Sequence, residues 1–362
     1  MSQRTGHARW HLAWLHSAQR RGPAARLLWP LSLLYRALIA ARRALYALGI
    51  FSSHQLPVPV IVVGNVVLGG AGKTPTTLAL LTHLQGRGWR PGVISRGHGR
   101  RSEGLVHVEP NTPAHQAGDE PLFIRQRTGL PVCVARSRVE AARALLAAHP
   151  EVNLLVCDDG MQHLALARDL TIAVFDDRAA GNGWMLPAGL LREPWPLAPG
   201  ALGRPDIVLR QGRSGVDARS LPGAVGLPVF HALRRLASSA VGPLGEIKNL
   251  AQLREQPLTA VAGIARPDVF FEMLRENGLT LADCVALPDH AGDADYAEVI
   301  GSARHALVCT EKDAVKLFPL LPTDASRGAW AVPLHLEPEP GFFDYIDSHL
   351  ARLSSRHGHQ TA

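Results

Sequence analysis

Short apolar runs alternate with stretches of helical period along most of this chain. Continuous runs at 60–63, 92–95, 131–134, 152–157, 170–175 and 205–209 are bounded by turn residues. Runs of this length read as strands buried on both faces. Helical patterns at 74–87, 122–128 and 138–148 fall between them, so the pattern predicts an α/β fold with a mostly parallel sheet. A Gly-, Ser- and Pro-rich stretch from 211 to about 228 reads as a boundary. Beyond it a smaller alternation follows, with strands at 259–262, 284–287 and 306–309 and helices at 267–277 and 294–302. The expected organisation is an N-terminal segment (1–50), a first domain (51–225), a smaller C-terminal α/β domain with its linker (226–345) and a polar tail (346–362). That tail begins within a short helix over 342–353.

The N-terminal segment has a pattern of its own. Leu31, Leu34, Leu38, Ala41, Leu45 and Leu48 recur at three- and four-residue steps within a helical stretch at 27–48. Pro30 is expected in its first turn or just ahead of it. Arg36 and Arg43 fall nearly opposite the leucines, and Arg42 falls on the flank. About nine uncharged residues precede Arg36, well short of the roughly 20 that span a bilayer. An amphipathic helix of this kind suits a membrane surface, its leucines at the acyl boundary and its arginines at anionic headgroups. A helix packed on the protein's own core is the alternative. Residues 1–25 show no small-residue cleavage site after an apolar core, and so do not read as a secretory signal.

Charge sharpens this division. The 362 residues carry a net charge of +7, yet residues 1–50 hold eight arginines and no Asp or Glu. The rest of the chain therefore has 30 basic against 31 acidic residues and is near neutral. A nucleic-acid-binding body would carry its basic stripe across the fold, so no nucleic acid is expected as partner. Hydrophobic content of 46% and charged content of 19% exclude a disordered chain. Cys133, Cys157, Cys284 and Cys309 are widely spaced, without a C-x-x-C pair, and read as small buried residues in a reducing compartment. Only four lysines occur, Lys73, Lys248, Lys312 and Lys316, so a lysine inside a motif stands out.

The first such lysine carries the chemistry. After the strand at 60–63 the chain runs Val67-Leu68-Gly69-Gly70-Ala71-Gly72-Lys73-Thr74 and opens a helix. Glycines let backbone N–H groups turn towards a phosphate chain, and the helix N-terminus adds its positive dipole end. Lys73 would reach the β and γ phosphates, and the Thr74 hydroxyl would ligate Mg²⁺. The strict pattern G-x-x-x-x-G-K-[ST] is not met, because Val67 stands at its first glycine, so the motif is a P-loop variant. A ligand-free glycine turn is the bland alternative. About 85 residues on, the run at 152–157 ends in Asp158-Asp159, the strand-end carboxylates that a P-loop enzyme sets near its Mg²⁺.

Other polar groups sit at strand ends. Arg96 and Gly97 follow the strand at 92–95, where open α/β sheets bind ligands. Asp119 stands just ahead of a helix and reads locally as an N-cap. Arg192-Glu193 lies in a Pro- and Gly-punctuated loop, and the smaller domain offers Pro288-Asp289-His290 and Thr310-Glu311-Lys312-Asp313. Two classes fit these residues: a phosphotransferase acting on a membrane-borne substrate, or a membrane-recruited regulatory ATPase or GTPase. A regulatory NTPase needs only water, whereas a kinase needs an acceptor site and a base. The extra carboxylate Asp119, the Arg192-Glu193 loop and His290 favour the kinase.

Taken together the motifs resemble the tetraacyldisaccharide 4′-kinase family, the lipid A kinases of Gram-negative bacteria. The landmarks are Val63-Gly64-Asn65 with the loop from Gly69 to Pro75, then Ser95-Arg96-Gly97 and Ala117-Gly118-Asp119-Glu120-Pro121. Asp158-Asp159-Gly160-Met161-Gln162-His163, Leu186-Pro187-Ala188-Gly189, Leu191-Arg192-Glu193-Pro194 and Asp289-His290 complete the order. Ala71, His98 and Met161 depart from the family's usual residues. The resemblance implies a P-loop NTPase-like fold. It implies transfer of the ATP γ-phosphate, with Mg²⁺, to the 4′-hydroxyl of a tetraacyl glucosamine disaccharide 1-phosphate, giving lipid IVA at the cytoplasmic face of the inner membrane. By the same resemblance Asp119 is the general base and His290 its partner from the other lobe. Asp158 and Asp159 manage the metal, and Gln162, His163, Arg96 and Arg192 lie near substrate or nucleotide.

Overall fold

A computed structural model describes residues 18–212, 221–289, 291–322 and 328–357, with no side-chain description beyond 353. His290, most of the expected basic N-terminal stretch up to residue 17 and the centre of the 211–228 boundary lie outside the described residues. In chain order the elements are α1 (Pro23–Ala47), β1 (Val60–Gly64), α2 (Lys73–Gly86), β2 (Pro91–Ser95), β3 (Val106–Val108), α3 (Asp119–Thr128), β4 (Val132–Val134), α4 (Arg138–Ala148) and β5 (Leu154–Asp158). They continue with β6 (Leu170–Phe175), β7 (Ile207–Gly212), β8 (Val229–Leu236), β9 (Ser239–Val241), β10 (Ile247–Asn249), β11 (Leu258–Ala262) and α5 (Pro267–Glu276). The last are β12 (Leu281–Ala286), α6 (Asp293–Ser302), β13 (Ala306–Thr310), α7 (Glu311–Leu317), β14 (Ala329–Val332) and α8 (Pro340–His357).

The chain forms two compact units. In the first (1–96, 137–233 and 338–362) strands run in the order β8-β7-β6-β1-β5-β2, all parallel. β1, β5 and β6 are buried along their whole length, the burial that their uninterrupted apolar sequence predicts. Thr76, Thr77, Leu80, Leu81 and Leu84 of α2 are buried with them. The helix at the end of the chain belongs here too. Phe342, Ile346 and Leu350 recur every four residues and are buried, Phe342 sets its ring against Phe230, and Asp347 pairs with His83 at 2.9 Å and Arg87 at 2.8 Å. The polar tail expected from 346 is therefore helix through 357. Its apolar stripe is narrow, and its polar face had dominated the composition.

The second unit (97–136 and 234–337) holds a six-stranded sheet in the order β10-β9-β14-β13-β11-β12, parallel from β14 to β12 and antiparallel at β9 and β10. Phe270, Phe271 and Leu274 of α5 pack on one face; Tyr296, Val299 and Leu317 of α6 and α7 pack on the other. β3 and β4 form an antiparallel pair, and α3 lies against α7. The compact units thus depart from the contiguous division at 225 expected from the sequence: residues 97–136 are interleaved into the later unit. Their placement rests on side chains some 190 residues apart, which no local pattern announces.

Helix α1 also differs from expectation. It begins at Pro23, so Pro30 lies inside it. Arg42 and Arg43 point at the protein: Arg42 donates to the Gln162 carbonyl at 2.9 Å, and Arg43 pairs with the buried Glu193 at 2.5 Å. Ser32 donates to the Met185 carbonyl and accepts from the Ala188 N–H. The leucines Leu27, Leu31, Leu34 and Leu38 face outward, between 55% and 82% exposed. The helix is neither a core helix nor one with Arg42 and Arg43 available to headgroups.

Candidate active site

The loop after β1 is built by its neighbours. Asn65 is fully buried and donates through Nδ2 to the carbonyls of Val67 and Gly69. Val67, at the expected glycine position, is 1% exposed and bridges to Leu191, while the Leu68 N–H donates to the Leu190 carbonyl at 2.8 Å. An apolar side chain there anchors the loop, so the missing glycine is a packing choice. Gly70 and the fully buried Ala71 carry the turn on to Gly72, which ends it at φ +88°, ψ 29°, a conformation open to glycine at little cost. Lys73 is the first residue of α2. The Gln211 side chain donates to the Gly72 carbonyl at 2.8 Å and to the Thr76 hydroxyl. No acidic residue occupies the first turn of α2, so its N-terminal dipole is left for an anion.

Around the loop the charges converge. Lys73 Nζ lies 3.5 Å from Asn65 Oδ1 and 3.8 Å from Asp159 Oδ1, and Arg192 Nη1 reaches the same two oxygens at 3.2 and 3.3 Å. Burial works to raise the Asp159 carboxyl, but Lys73, Arg192 and Arg138 outweigh it and hold it below the ordinary range. The adjoining acids divide their work. Asp158 is fully buried and accepts from the Thr77 hydroxyl at 2.9 Å, whereas about a third of the Asp159 side chain is exposed. The Arg138 guanidinium donates to the Asp159 carbonyl at 3.0 Å. Arg178, paired with the buried Asp176 at 2.7 Å, donates to the Leu68 carbonyl and lies against Gly69.

Of the remaining expected residues in this unit, Gln162 donates to the Asn65 carbonyl at 3.0 Å. His163 is half-buried; burial, followed by Arg138, Arg168, Arg42 and Arg96, pushes its imidazole down to about 4. Its Nε2 is enclosed and has no hydrogen-bond partner among the described residues. Arg96 is exposed at the end of β2, and Thr74 is half-exposed in the first turn of α2. Arg178, Asp176, Arg138 and Gln211 were missed. A local signal existed only for the first two, which lie at or just past the end of β6.

In the second unit Asp119 is the first residue of α3, after Gly118. The N-cap reading therefore fails: Gly118 holds that position at φ +89°, and its Cα side meets the Gly97 backbone so closely that a Cβ would lie 3.0 Å from Gly97 Cα. This close approach brings the Arg96-Gly97 and Gly118-Asp119 motifs together. Asp119 is 6% exposed, and both its carboxylate oxygens lie 2.8 Å from Lys316 Nζ. Lys312, one turn earlier on α7, reaches Glu120 at 3.3 Å and Asp289 at 3.2 Å. Burial disfavours the Lys312 ammonium, but Glu120, Asp289 and Asp119 outweigh it and hold it charged. Asp119 thus lies in the same compact unit as the Asp289 loop. The expected placement of Asp119 in the lobe of the nucleotide loop is therefore not met.

A loop gated by Gly72, a lysine at a helix start and a strand-end carboxylate pair are the parts with which P-loop enzymes hold nucleotide phosphates, and the class is that of the P-loop phosphotransferases. Over residues 24–351 the sequence matches the Tetraacyldisaccharide-1-P 4′-kinase family, LpxK, and the chain belongs to that family. It is accordingly a kinase. Tetraacyldisaccharide 4′-kinase from Acidovorax sp. (strain JS42) is 54% identical over 343 residues, covering 95% of this chain and 94% of that protein. The protein of the same name from Polaromonas naphthalenivorans (strain CJ2) is 49% identical over 353 residues, 96% of this chain and 98% of that one. Among solved structures, the "apo" form of LpxK from Aquifex aeolicus in complex with ATP superimposes with a TM-score of 0.73 at 26% identity, covering 91% of this chain and 99% of that chain.

Proposed function

We propose that the chain transfers the γ-phosphate of ATP to the 4′-hydroxyl of a tetraacyl glucosamine disaccharide 1-phosphate at the cytoplasmic face of the inner membrane. The observation that carries the reading is the mouth of the P-loop, where Lys73 and Arg192 converge on Asp159 in a chain of this family. In the nucleotide-bound enzyme Lys73 exchanges Asp159 for a phosphate oxygen, and Arg192 supplies a second cation for developing charge. Asp119 accepts the hydroxyl proton as general base, with His290 assisting it, a reading supported by a largely buried carboxylate at the head of α3 that pairs with Lys316.

Mg²⁺ fits the donors present. Asp159 offers a partly exposed hard oxygen ligand, Thr74 a hydroxyl on the first turn of α2, and Asp158 a carboxylate fixed by Thr77. One or two carboxylates suffice for a nucleotide-bound Mg²⁺, which neutralises charge on the phosphates. The exposed leucines of α1 suit an enzyme whose acceptor keeps its acyl chains in a bilayer.

The test is incubation of full-length protein with ATP labelled on the γ-phosphate, Mg²⁺ and the disaccharide 1-phosphate lipid in detergent. Label is expected on the lipid and lost in Asp119→Asn, about 100-fold or more down. Hydrolysis stimulated by bare liposomes, with no labelled lipid, would instead mean a regulatory NTPase.

A further inference from the structure

The lysine-bearing motif on α7 is unused by the reading above, yet it is where the second unit concentrates its buried charge. Lys316 Nζ sits 2.8 Å from both oxygens of Asp119 and 2.7 Å from the carbonyl of Ala291, the residue that follows position 290. Both side chains are nearly closed off, Lys316 at 11% and Asp119 at 9% exposure. An ammonium has three donors and no acceptor, and here two directions are committed to a carboxylate and a loop carbonyl. The N-cap role that commonly explains an Asp at a helix start belongs to Gly118.

We infer that Lys316 is a positioning residue for the phosphoryl-transfer step: it keeps Asp119 ionised and aimed, and ties the loop that carries position 290 to it. The inference rests on the reading of Asp119 as the base. Lys312 spends its charge on Glu120 and Asp289. Tyr296 of α6 donates to Asp313 of α7, whose carboxylate also accepts from the Gly263 N–H and the Thr310 hydroxyl. Glu120 and Asp289 are acidic as well, and either carboxylate would favour protonation of a neighbouring Asp. Lys316 is in direct contact with both carboxylate oxygens of Asp119.

The sign follows from charge. An adjacent ammonium favours the carboxylate form, so its removal lets Asp119 hold a proton to higher pH, and a protonated base accepts nothing. Lys316→Met and Lys316→Gln, assayed as full-length enzymes in detergent, should show kcat at pH 7 reduced about 10- to 100-fold. The KM for ATP should stay unchanged, and the acid limb of the pH–kcat profile should move up by about one to two units. Lys316→Arg should restore the wild-type limb, because it keeps the charge. Lys316→Gln keeps a donor for the Ala291 carbonyl without the charge, and stands in if the Met variant does not fold. In an Asp119→Asn background, Lys316→Gln should cost nothing further, since it acts through the missing carboxylate.

An unmoved acid limb in both neutral variants, or a full additional loss on top of Asp119→Asn, overturns the inference and leaves a merely structural ion pair. Asp119→Asn with near wild-type kcat overturns the base reading itself, and is told apart because it needs no Lys316 variant.

Discussion

At the scale of single residues, charge decides more than motif spelling. His163 sits among arginines, and its imidazole is pushed down to about 4 by burial and then by Arg138, Arg168, Arg42 and Arg96. Unfolded, the same side chain titrates near ~6.5. The folded state therefore refuses a proton that the unfolded state takes, so His163 leaves stability intact above about pH 6.5 and lowers it as pH falls towards 4. His163→Gln should flatten the Tm–pH curve between pH 7 and pH 5; curves running parallel to wild type would refute the assignment. The paired acids teach the complementary point. Asp158 and Asp159 are alike in sequence, yet one is enclosed against Thr77 and the other faces Lys73. Only the packing around the end of β5 distinguishes them.

At the scale of elements, the P-loop is a strand-to-helix connection braced by a second loop. Val67 is buried and its backbone bridges to Leu191, so restoring the consensus glycine would remove an enclosed side chain. Val67→Gly should destabilise the protein on the order of 2–4 kcal/mol, from lost burial and a freer unfolded chain. It should bring no gain in ATP affinity, which thermal melts and nucleotide titration together would check; tighter ATP binding would refute the packing account. The strands and long helices were legible because their apolar runs obey the period of the element they form. Helix α8 was legible only in part, since Phe342, Ile346 and Leu350 form one thin stripe on an otherwise polar segment. The loop residues that hold the site, Arg178 and Gln211 among them, carry no periodic signal.

At the scale of the whole molecule, α1 couples a surface to a site. Its inner edge is fastened by Ser32, Tyr35 and Arg43 to the loop that presents Arg192, the Tyr35 hydroxyl donating to the Arg192 carbonyl at 3.0 Å, and by Arg42 to the Gln162 carbonyl after β5. Its outer edge is a row of exposed leucines. Arg43→Ala leaves Glu193 buried without its closest cation and should cost about 3 kcal/mol, read as a lowered Tm. Changing Leu27, Leu31, Leu34 and Leu38 together to Ser should leave Tm nearly unchanged. It should weaken partition onto liposomes at least ~100-fold. A quartet variant still bound to vesicles would sink the membrane-surface role, and an Arg43→Ala protein as stable as wild type would sink the fastening.

By itself the sequence determined what local chemistry can express: strands, helix starts, a glycine loop ending in Lys73, a strand ending in two acids, and a basic first helix with a leucine stripe. The order of those motifs was enough to point to a kinase family, because each motif is contiguous. The tertiary structure decided what distant residues make together. It turned Arg42 and Arg43 of α1 inward, leaving Arg26 and Arg36 exposed, and gave Asp158 and Asp159 different surroundings. It also moved Asp119 into the later unit, where Lys316 holds it across nearly two hundred residues of chain. Periodicity is a property of neighbours in sequence, whereas the charge on a buried carboxylate is set by neighbours in space.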